Sequence, residues 1–580
     1  MKPFLTTTKY TVLCICAVII TACSVPQDNK KPTSLISSDT SWMELSLREK
    51  IGQVVCMKYN EDTVMHFGNG SMEVFLNKYP IGSTFIASWN MLEVAPPDSL
   101  EALYRSIVYR CSEAAIYPML FLEDYESGVG GVIPGYTRLI TLMGLGATNS
   151  KTAAYRYGNV IASEARSIGL NWLLHPVADI NTNPFNPVTN VRALTDDSNL
   201  AMELLPSQVR AMQKENGVAA TAKHFPGDGT DFLNQHFTTT QMKLNFEEWQ
   251  KQHGKVFQTM IDSGVMTIMP GHISFPAYQK EKHNGEYLPA TLSKELMTDL
   301  LKGEMGFNGV IVSDALEMSG IANYYESQLE TEVASFMAGT DILLWPMLAF
   351  IDTVEARVLR GEIPIERVND AVGRIWNMKK QLGLFDENYQ AIQPLSTEQF
   401  AKNNADAYEI AKQAITLVSN KNEVVPLPDS TQKVLIVAVT ESGDETRFGP
   451  LKAALEEFGL KVTLQRNLPY GGEGVDLEAV ARDYDKVIFA FYSAPGNPWG
   501  TLSVNGQEAF TLWSSNKLPF DKVISVAFGD PYKNLIYNPR IWCRINAYND
   551  DNNSQKAVGE AVIGKITFEG KSPVNYPMPH

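Results

Sequence analysis

Short apolar runs alternate with longer amphipathic stretches from about residue 45 to residue 385, a pattern that predicts successive βα units. The runs read as buried strands are Gly52-Gln-Val-Val-Cys, Gly82-Ser-Thr-Phe-Ile, Pro118-Met-Leu-Phe-Leu, Asn171-Trp-Leu-Leu, Val218-Ala-Ala-Thr-Ala, Val265-Met-Thr-Ile-Met, Gly309-Val-Ile-Val and Asp341-Ile-Leu-Leu. Eight such units close a (β/α)8 TIM-like barrel. The stretches between them repeat apolar residues at helical spacing. Leu296, Leu300 and Leu301 do so within Thr291–Leu301, where Thr291 or Ser293 can cap, and Val368, Val372, Ile375, Trp376 and Met378 within Pro364–Leu382.

The residues that follow each run add chemistry to this outline. Glu123 and Asp124 come after the third, His175 and Asp179 after the fourth, Lys223, His224 and Asp228 after the fifth, His272 after the sixth and Asp314 after the seventh. Parallel barrel strands present their carboxyl ends to one face, so these groups are expected on one rim. Residues 386–405 are richer in Asn, Gln, Asp and Pro and read as a linker after a barrel spanning 43–385. Beyond it Val434–Val439, Lys461–Leu464, Val487–Phe491, Val523–Phe528 and Arg540–Ile545 alternate with helices such as Pro450–Phe458. That series predicts a smaller α/β sandwich domain over 406–580. No GxGxxG follows its first strand, so nothing supports a nucleotide site there.

Composition narrows the function classes. A formal charge of -16 and a pI near 5.1 leave no basic footprint for a nucleic acid. Lys2 and Lys9 precede an apolar run, Tyr10–Ile20, that is too short to span a membrane. The run leads into Thr21-Ala22-Cys23, which resembles a bacterial lipobox. The expectation is a lipoprotein leader over 1–23, a lipid on Cys23, and a polar tether over 24–42. Such a chain would sit in the cell envelope, periplasmic or attached to the outer membrane, touching lipid only through its anchor. A secretory leader with an ordinary small-residue cleavage site is the alternative. Cys56, Cys111 and Cys543 show no CxxC spacing and are expected to be buried thiols.

Two stretches carry the chemistry. Asp314 closes the seventh strand, where a barrel enzyme holds catalytic carboxylates, although Ser-Asp pairs also cap helices. In Lys223-His-Phe-Pro-Gly-Asp-Gly229, Pro226, Gly227 and Gly229 force a turn that lifts Asp228 over the rim, and His236 follows eight residues on. An Asp between two glycines also suits a turn with no chemistry at all.

KHFPGDG with its downstream His236, together with SDAL at Ser313–Leu316, resembles glycoside hydrolase family 3, most closely its β-N-acetylhexosaminidase branch. EDYESG from Glu123, HPVADINTNPFNPVTNVRAL from His175, MPGHI from Met269, AGTDILL from Ala338 and KKQLGLF from Lys379 extend the likeness across residues 45 to 385. In the second domain it is confined to Ile415–Leu427. The resemblance implies an exo-acting retaining β-glycosidase without a cofactor, releasing terminal N-acetylhexosamine, with Asp314 as nucleophile. It further implies that Asp124, Arg192, Lys223, His224, His236 and His272 bind the sugar.

The acid is less determined. The family's hexosaminidase loop is expected to read KHFPGHG, with that histidine as acid/base and an Asp beyond it; here the two positions are taken as Asp228 and Asn234. Three readings stay open: Asp228 is the acid, with a raised pKa; a second-domain group such as Glu508 reaches over; or the protein binds glycan without cleaving it. β-Glucosidase and β-xylosidase specificities are alternatives within the family. A metal hydrolase is a rival from another class, but Lys223 beside His224 and the lack of HxH or HxxxH spacing oppose it.

Overall fold

The computed structural model describes residues 40–575, apart from 441–443, 445, 469–476, 497–499, 502, 503 and 505. The leader, Cys23 and most of the tether lie outside the described residues. Within them, no helix is long and apolar enough to cross a membrane.

Eight parallel strands form the first sheet: β1 (Val55–Lys58), β2 (Ser83–Phe85), β3 (Leu120–Glu123), β4 (Trp172–Leu173), β5 (Ala219–Phe225), β6 (Thr267–Pro270), β7 (Val310–Ile311) and β8 (Leu343–Leu344). Each pairs with its sequence neighbour, and β8 returns to β1 through Val55 with Leu343 and Cys56 with Leu344. A parallel bridge between Val312 and Ile342 closes the last seam. Every predicted barrel strand is present, shifted by at most three residues. These runs are apolar almost throughout because both faces are covered, one by the barrel interior and one by helices. Trp172 fills part of that interior, and its indole N–H donates to the hydroxyls of Thr221 (2.9 Å) and Thr267 (3.1 Å).

The predicted helix before β7 is a π-helix, Glu295–Glu304, with the Ser293 hydroxyl accepting from the Leu296 N–H at 3.3 Å. Ile365–Gln381 forms as expected and buries Val368, Val372, Ile375, Trp376 and Met378. The linker reading needs correction: Thr397–Ala414 is one helix, capped by Ser396, and takes up the second half of 386–405. Its polar residues misled because most of them lie on the solvent side, while Ala407, Ile410, Ala411 and Ala414 are buried together with Asn403, whose amide donates to Ser163 and Glu164 of the barrel.

The second sheet contains β9 (Thr416–Asn420), β10 (Lys433–Val439), β11 (Lys461–Arg466), β12 (Lys486–Ser493), β13 (Val523–Gly529) and β14 (Cys543–Asn546), in the order β9-β14-β13-β12-β10-β11. All pairings are parallel except that of β9 with β14, and β9 was not anticipated. Along β10, Val434, Ile436 and Ala438 enter one apolar cluster and Leu435, Val437 and Val439 another. That division is the mark of a sheet covered by helices on both faces. The sandwich packs on the barrel through Arg138 with Asp550 (2.8 Å), Asn181 with the Tyr532 hydroxyl (3.0 Å) and a shared apolar core that includes Tyr532, Tyr548 and Val574. Cys56, Cys111 and Cys543 are buried free thiols.

Candidate active site

At the carboxyl end of the barrel the strands surround a hollow of about 420 Å³, mouth included. Phe85, Leu174, Met269, Leu344 and Trp345 supply apolar wall; Asp124, Arg192, Lys223, His224, Gln235, His236 and Asp314 supply polar groups. Of the eight residues expected in catalysis or sugar binding, six therefore meet here, and Asp228 and His272 do not.

Consecutive strand residues point to opposite faces, so Lys223 and His224 should not share a cavity. A register break between Lys223 and Phe225, where β5 pairs with β6, allows both to face it. Lys223 Nζ lies 2.7 Å from Asp124 Oδ1 and 2.9 Å from Glu126 Oε1. Glu126 also takes a two-pronged contact from Arg192, Nε to Oε2 at 2.8 Å and Nη2 to Oε1 at 2.7 Å. Burial by itself would lower the Lys223 pKa, but Asp124 and Glu126 raise it, so this amine stays charged. Asp124 keeps about 40% of its side chain exposed and can still accept from a ligand. His224 is fixed by Asp179, whose Oδ2 is 2.8 Å from the ring Nδ1 and whose Oδ1 accepts the His224 N–H at 3.0 Å.

Asp314 is half-buried, and its Oδ1 accepts the Ala315 N–H at 2.7 Å. Burial alone would raise its pKa. The imidazoles of His272, His224 and His236 and the Ala315 N–H reverse that effect and hold it below the usual carboxylate value. His272 stands behind this carboxylate and not in the wall, a correction to its expected contact with sugar. It is fully buried, with Nδ1 2.9 Å from the Thr291 hydroxyl and Nε2 3.1 Å from the Ala315 carbonyl, so both nitrogens are occupied.

The second correction concerns Asp228. The residue is 2% exposed and both carboxylate oxygens are engaged: Oδ1 accepts from Asn186 Nδ2 (2.9 Å) and the Gly229 N–H (2.6 Å), and Oδ2 from Gln235 Nε2 (3.2 Å). Its own N–H donates to Asp179 Oδ1 at 2.7 Å. Burial, and then the charge of Asp179, raise its pKa as expected, yet its side chain does not line the hollow. The turn is locked inward by its glycines. Gly227 and Gly229 have φ of +126° and +101°, and a Cβ would lie 2.1 Å from His253 Nδ1 and 2.3 Å from the Ile180 carbonyl oxygen.

His236 occupies the position expected of Asp228, on the wall with Asp314. Asn234 Oδ1 accepts both the His236 N–H (3.0 Å) and its ring Nδ1 (2.7 Å). Because one oxygen takes the backbone proton, Nδ1 must donate the other, which leaves Nε2 as the nitrogen that gains or loses a proton. Burial lowers the His236 pKa to about 4, with Arg192, His224 and His272 acting in the same direction and Asp314 opposing them. Glu508 does not line the hollow: it sits on the helix Gly506–Ser515 of the sandwich, paired with Asn467 (3.1 Å) and Arg466 (3.5 Å). The Asn497–Gln507 loop lies partly outside the described residues, and so does Trp499.

Glu126, Gln235 and Trp345 were missed, and Asn234, named as the supporting position of the loop, supports His236 and not Asp228. Glu126 lies inside EDYESG and Gln235 directly before His236, so proximity to recognised motifs was a usable signal; Trp345 directly follows the eighth predicted run, the same strand-end signal that marked the other rim residues. Among the described residues, no three His, Cys, Asp or Glu side chains form a group able to hold a metal ion.

A barrel with an anionic carboxylate and a titratable imidazole on one sugar-sized hollow belongs to the class of glycoside-cleaving enzymes. The model of the glycosyl hydrolase family 3 N-terminal domain matches residues 46–378. The β-N-acetylglucosaminidase/β-glucosidase of Cellulomonas fimi is 30% identical over 94% of this chain and 97% of its own. β-Hexosaminidase A of Pseudoalteromonas piscicida is 29% identical over 62% of this chain and 63% of its own. Among solved structures, a β-glucoside phosphorylase, BglX, superposes with a TM-score of 0.80 at 28% identity, covering 92% of this chain and 95% of that one. A family 3 β-N-acetylglucosaminidase from Paenibacillus sp. str. FPU-7 does so at 0.76 and 26%, covering 92% and 99%. The chain belongs to glycoside hydrolase family 3.

Proposed function

We propose that this protein removes terminal non-reducing β-linked N-acetylglucosamine by a retaining mechanism, with Asp314 as nucleophile and His236 as acid/base. The pairing of these two side chains on one hollow carries the reading. Lys223, Asp124, Arg192 and His224 hold the sugar hydroxyls, the buried amine and guanidinium donating and Asp124 accepting. Ring placement of this kind lowers the barrier by bringing the anomeric carbon to Asp314 before reaction. In the first step Asp314 bonds that carbon, the glycosidic bond breaks, and protonated Nε2 of His236 gives its proton to the departing oxygen. In the second, neutral Nε2 takes a proton from water as the water oxygen displaces Asp314 and releases the sugar. The N-acetyl preference draws support from relatives named for hexosaminidase activity and from the KHFPG stretch.

A panel of nitrophenyl β-glycosides tests the reading. The N-acetylglucosaminide should be hydrolysed faster than the glucoside or xyloside, and Asp314→Asn should lose more than about a thousandfold in kcat/KM. Turnover of no β-glycoside by the wild type would leave a glycan receptor as the better account.

A second reading, transfer to phosphate, is favoured by the likeness to a β-glucoside phosphorylase. Neutral imidazole opposite Asp314 does not repel an incoming anion as a second carboxylate would. Adding inorganic phosphate would then yield the sugar 1-phosphate in place of the free sugar. We also propose lipid attachment at Cys23, on the strength of Thr21-Ala22-Cys23. Palmitate labelling that survives Cys23→Ser would refute it.

A further inference from the structure

Beside the hollow lies a second, larger concavity of about 1520 Å³ by the same measure, open to solvent. One wall, Phe237–Thr239 with Gln241, begins at the residue after His236; the opposite wall, Ser319–Gly320 with Ala322–Tyr324, follows Asp314 by a few residues. The end is a hairpin tip, His283 to Glu286, whose Asn284 and Gly285 have φ of +51° and +87°, the conformation of a tight primed turn. These walls are bonded to each other. The Ser319 N–H donates to the His236 carbonyl at 3.1 Å, and the Thr239 hydroxyl lies 2.7 Å from the Gly320 carbonyl oxygen and 2.8 Å from the Tyr324 hydroxyl. His283 Nε2 donates to the Tyr324 carbonyl at 2.8 Å. The groove is thus built in advance of any ligand, and one of its walls shares a loop with the proposed acid.

Its chemistry suits a neutral, hydroxyl-rich chain. Hydroxyl and amide groups of Thr238, Gln241 and Asn323 offer both donors and acceptors, and Lys282 and Glu286 leave no net charge. Phe237 is 60% exposed, and Tyr287 presents a ring with Lys282 Nζ 4.7 Å from its centroid. Aromatic faces beside mixed donors and acceptors match the apolar faces and hydroxyl edges of pyranose rings. A phosphate-rich ligand would find too little positive charge here.

We propose that this groove binds the saccharide units on the leaving-group side, so that the enzyme trims β-linked oligosaccharides in preference to disaccharides. The inference rests on the glycosidase reading, since His236, which lines the hollow directly before Phe237 of the groove, must protonate the bond. The groove is the larger and the more open of the two concavities, as a site for several units of a chain requires.

The test compares kcat/KM on β-1,4-linked N-acetylglucosamine di- to pentasaccharides with that on the nitrophenyl N-acetylglucosaminide. If the aryl panel favours glucose, the glucose series replaces it. In the wild type the oligosaccharide values should climb about tenfold from dimer to tetramer. In Tyr287→Ala and Lys282→Ala most of that climb should vanish, lowering the ratio of tetramer to aryl-glycoside efficiency by a similar factor. A flat wild-type series, or variants that keep the full climb, would overturn the groove while aryl hydrolysis still upheld the hollow. Loss of all aryl hydrolysis in the wild type would instead overturn the reading on which the groove rests.

Discussion

Two clusters of charge sit at opposite ends of β7 and have opposite fates. At its amino end Asp341 accepts from Lys302 (2.8 Å), Arg367 (3.0 Å) and the Ile311 N–H (2.9 Å), and Asp370 lies within 3.1 Å of Lys302, Arg367 and Arg374. Those carboxylates are consumed by cations, and their work is to fix the helices Glu295–Glu304 and Ile365–Gln381 beneath the barrel. At the carboxyl end Asp314 has, among the described residues, a single hydrogen-bond donor, the Ala315 N–H, and faces imidazoles. Its negative charge is left available for the positive charge that builds on a sugar. The difference lies in what is withheld: a site is recognised by a charge with partners missing, and a structural pair by one with partners supplied.

The sharpest way to break this contrast is His236→Ala. Hydrolysis of β-linked disaccharides should fall by about a hundredfold or more, while dinitrophenyl glycosides, whose leaving groups need little protonation, should lose far less in bond cleavage. In the wild type the disaccharide kcat/KM should decline as pH rises through about 4, where His236 gives up its proton, and the variant should lack that decline. Asp228→Asn should act differently. Its bonds to Asn186 and Gln235 hold the loop that carries His236, so both substrate types should lose about tenfold, measured as parallel drops in kcat/KM. A loss confined to poor leaving groups would return the acid role to Asp228. Asn234→Asp should raise the His236 pKa, because a carboxylate on Nδ1–H stabilises the imidazolium; the alkaline limb of the disaccharide profile should move up by about one unit.

The smallest effect belongs to the other cluster. Against the burial that would raise it, Lys302, Arg374 and Arg367 hold the Asp370 pKa at about 2, compared with 3.8 for an unperturbed group. A folded pKa below the unfolded one contributes stability that is complete above about pH 4 and disappears as pH falls toward 2. With 43% of the side chain exposed and screened, Asp370→Asn should cost about 1 kcal/mol at neutral pH by denaturant unfolding, and leave kcat/KM alone.

The strand runs were legible because each is apolar on both faces and bounded by glycine or polar residues, a signal that does not depend on neighbours. Asp314 was legible for the same reason: it sits where a recognisable strand stops. Asp228 and His236 exchanged places because both lie on one irregular loop, where chain order says nothing about which side chain turns inward. The first half of the helix Thr397–Ala414 was lost to a polar composition that belongs mostly to its outer face, with Asn403 buried against the barrel.

The sequence by itself determined the eight strands, the rim on which their polar ends gather, and the carboxylate that closes β7, since periodicity and strand ends are properties of short stretches. Only the tertiary structure decided that Lys223 and His224 share one cavity, that Asp228 is sealed beneath its turn, and that Asn234 turns His236 toward Asp314. Those outcomes depend on a register break, on glycines pressed against His253 and Ile180, and on hydrogen bonds formed only once the loop is folded against the rim.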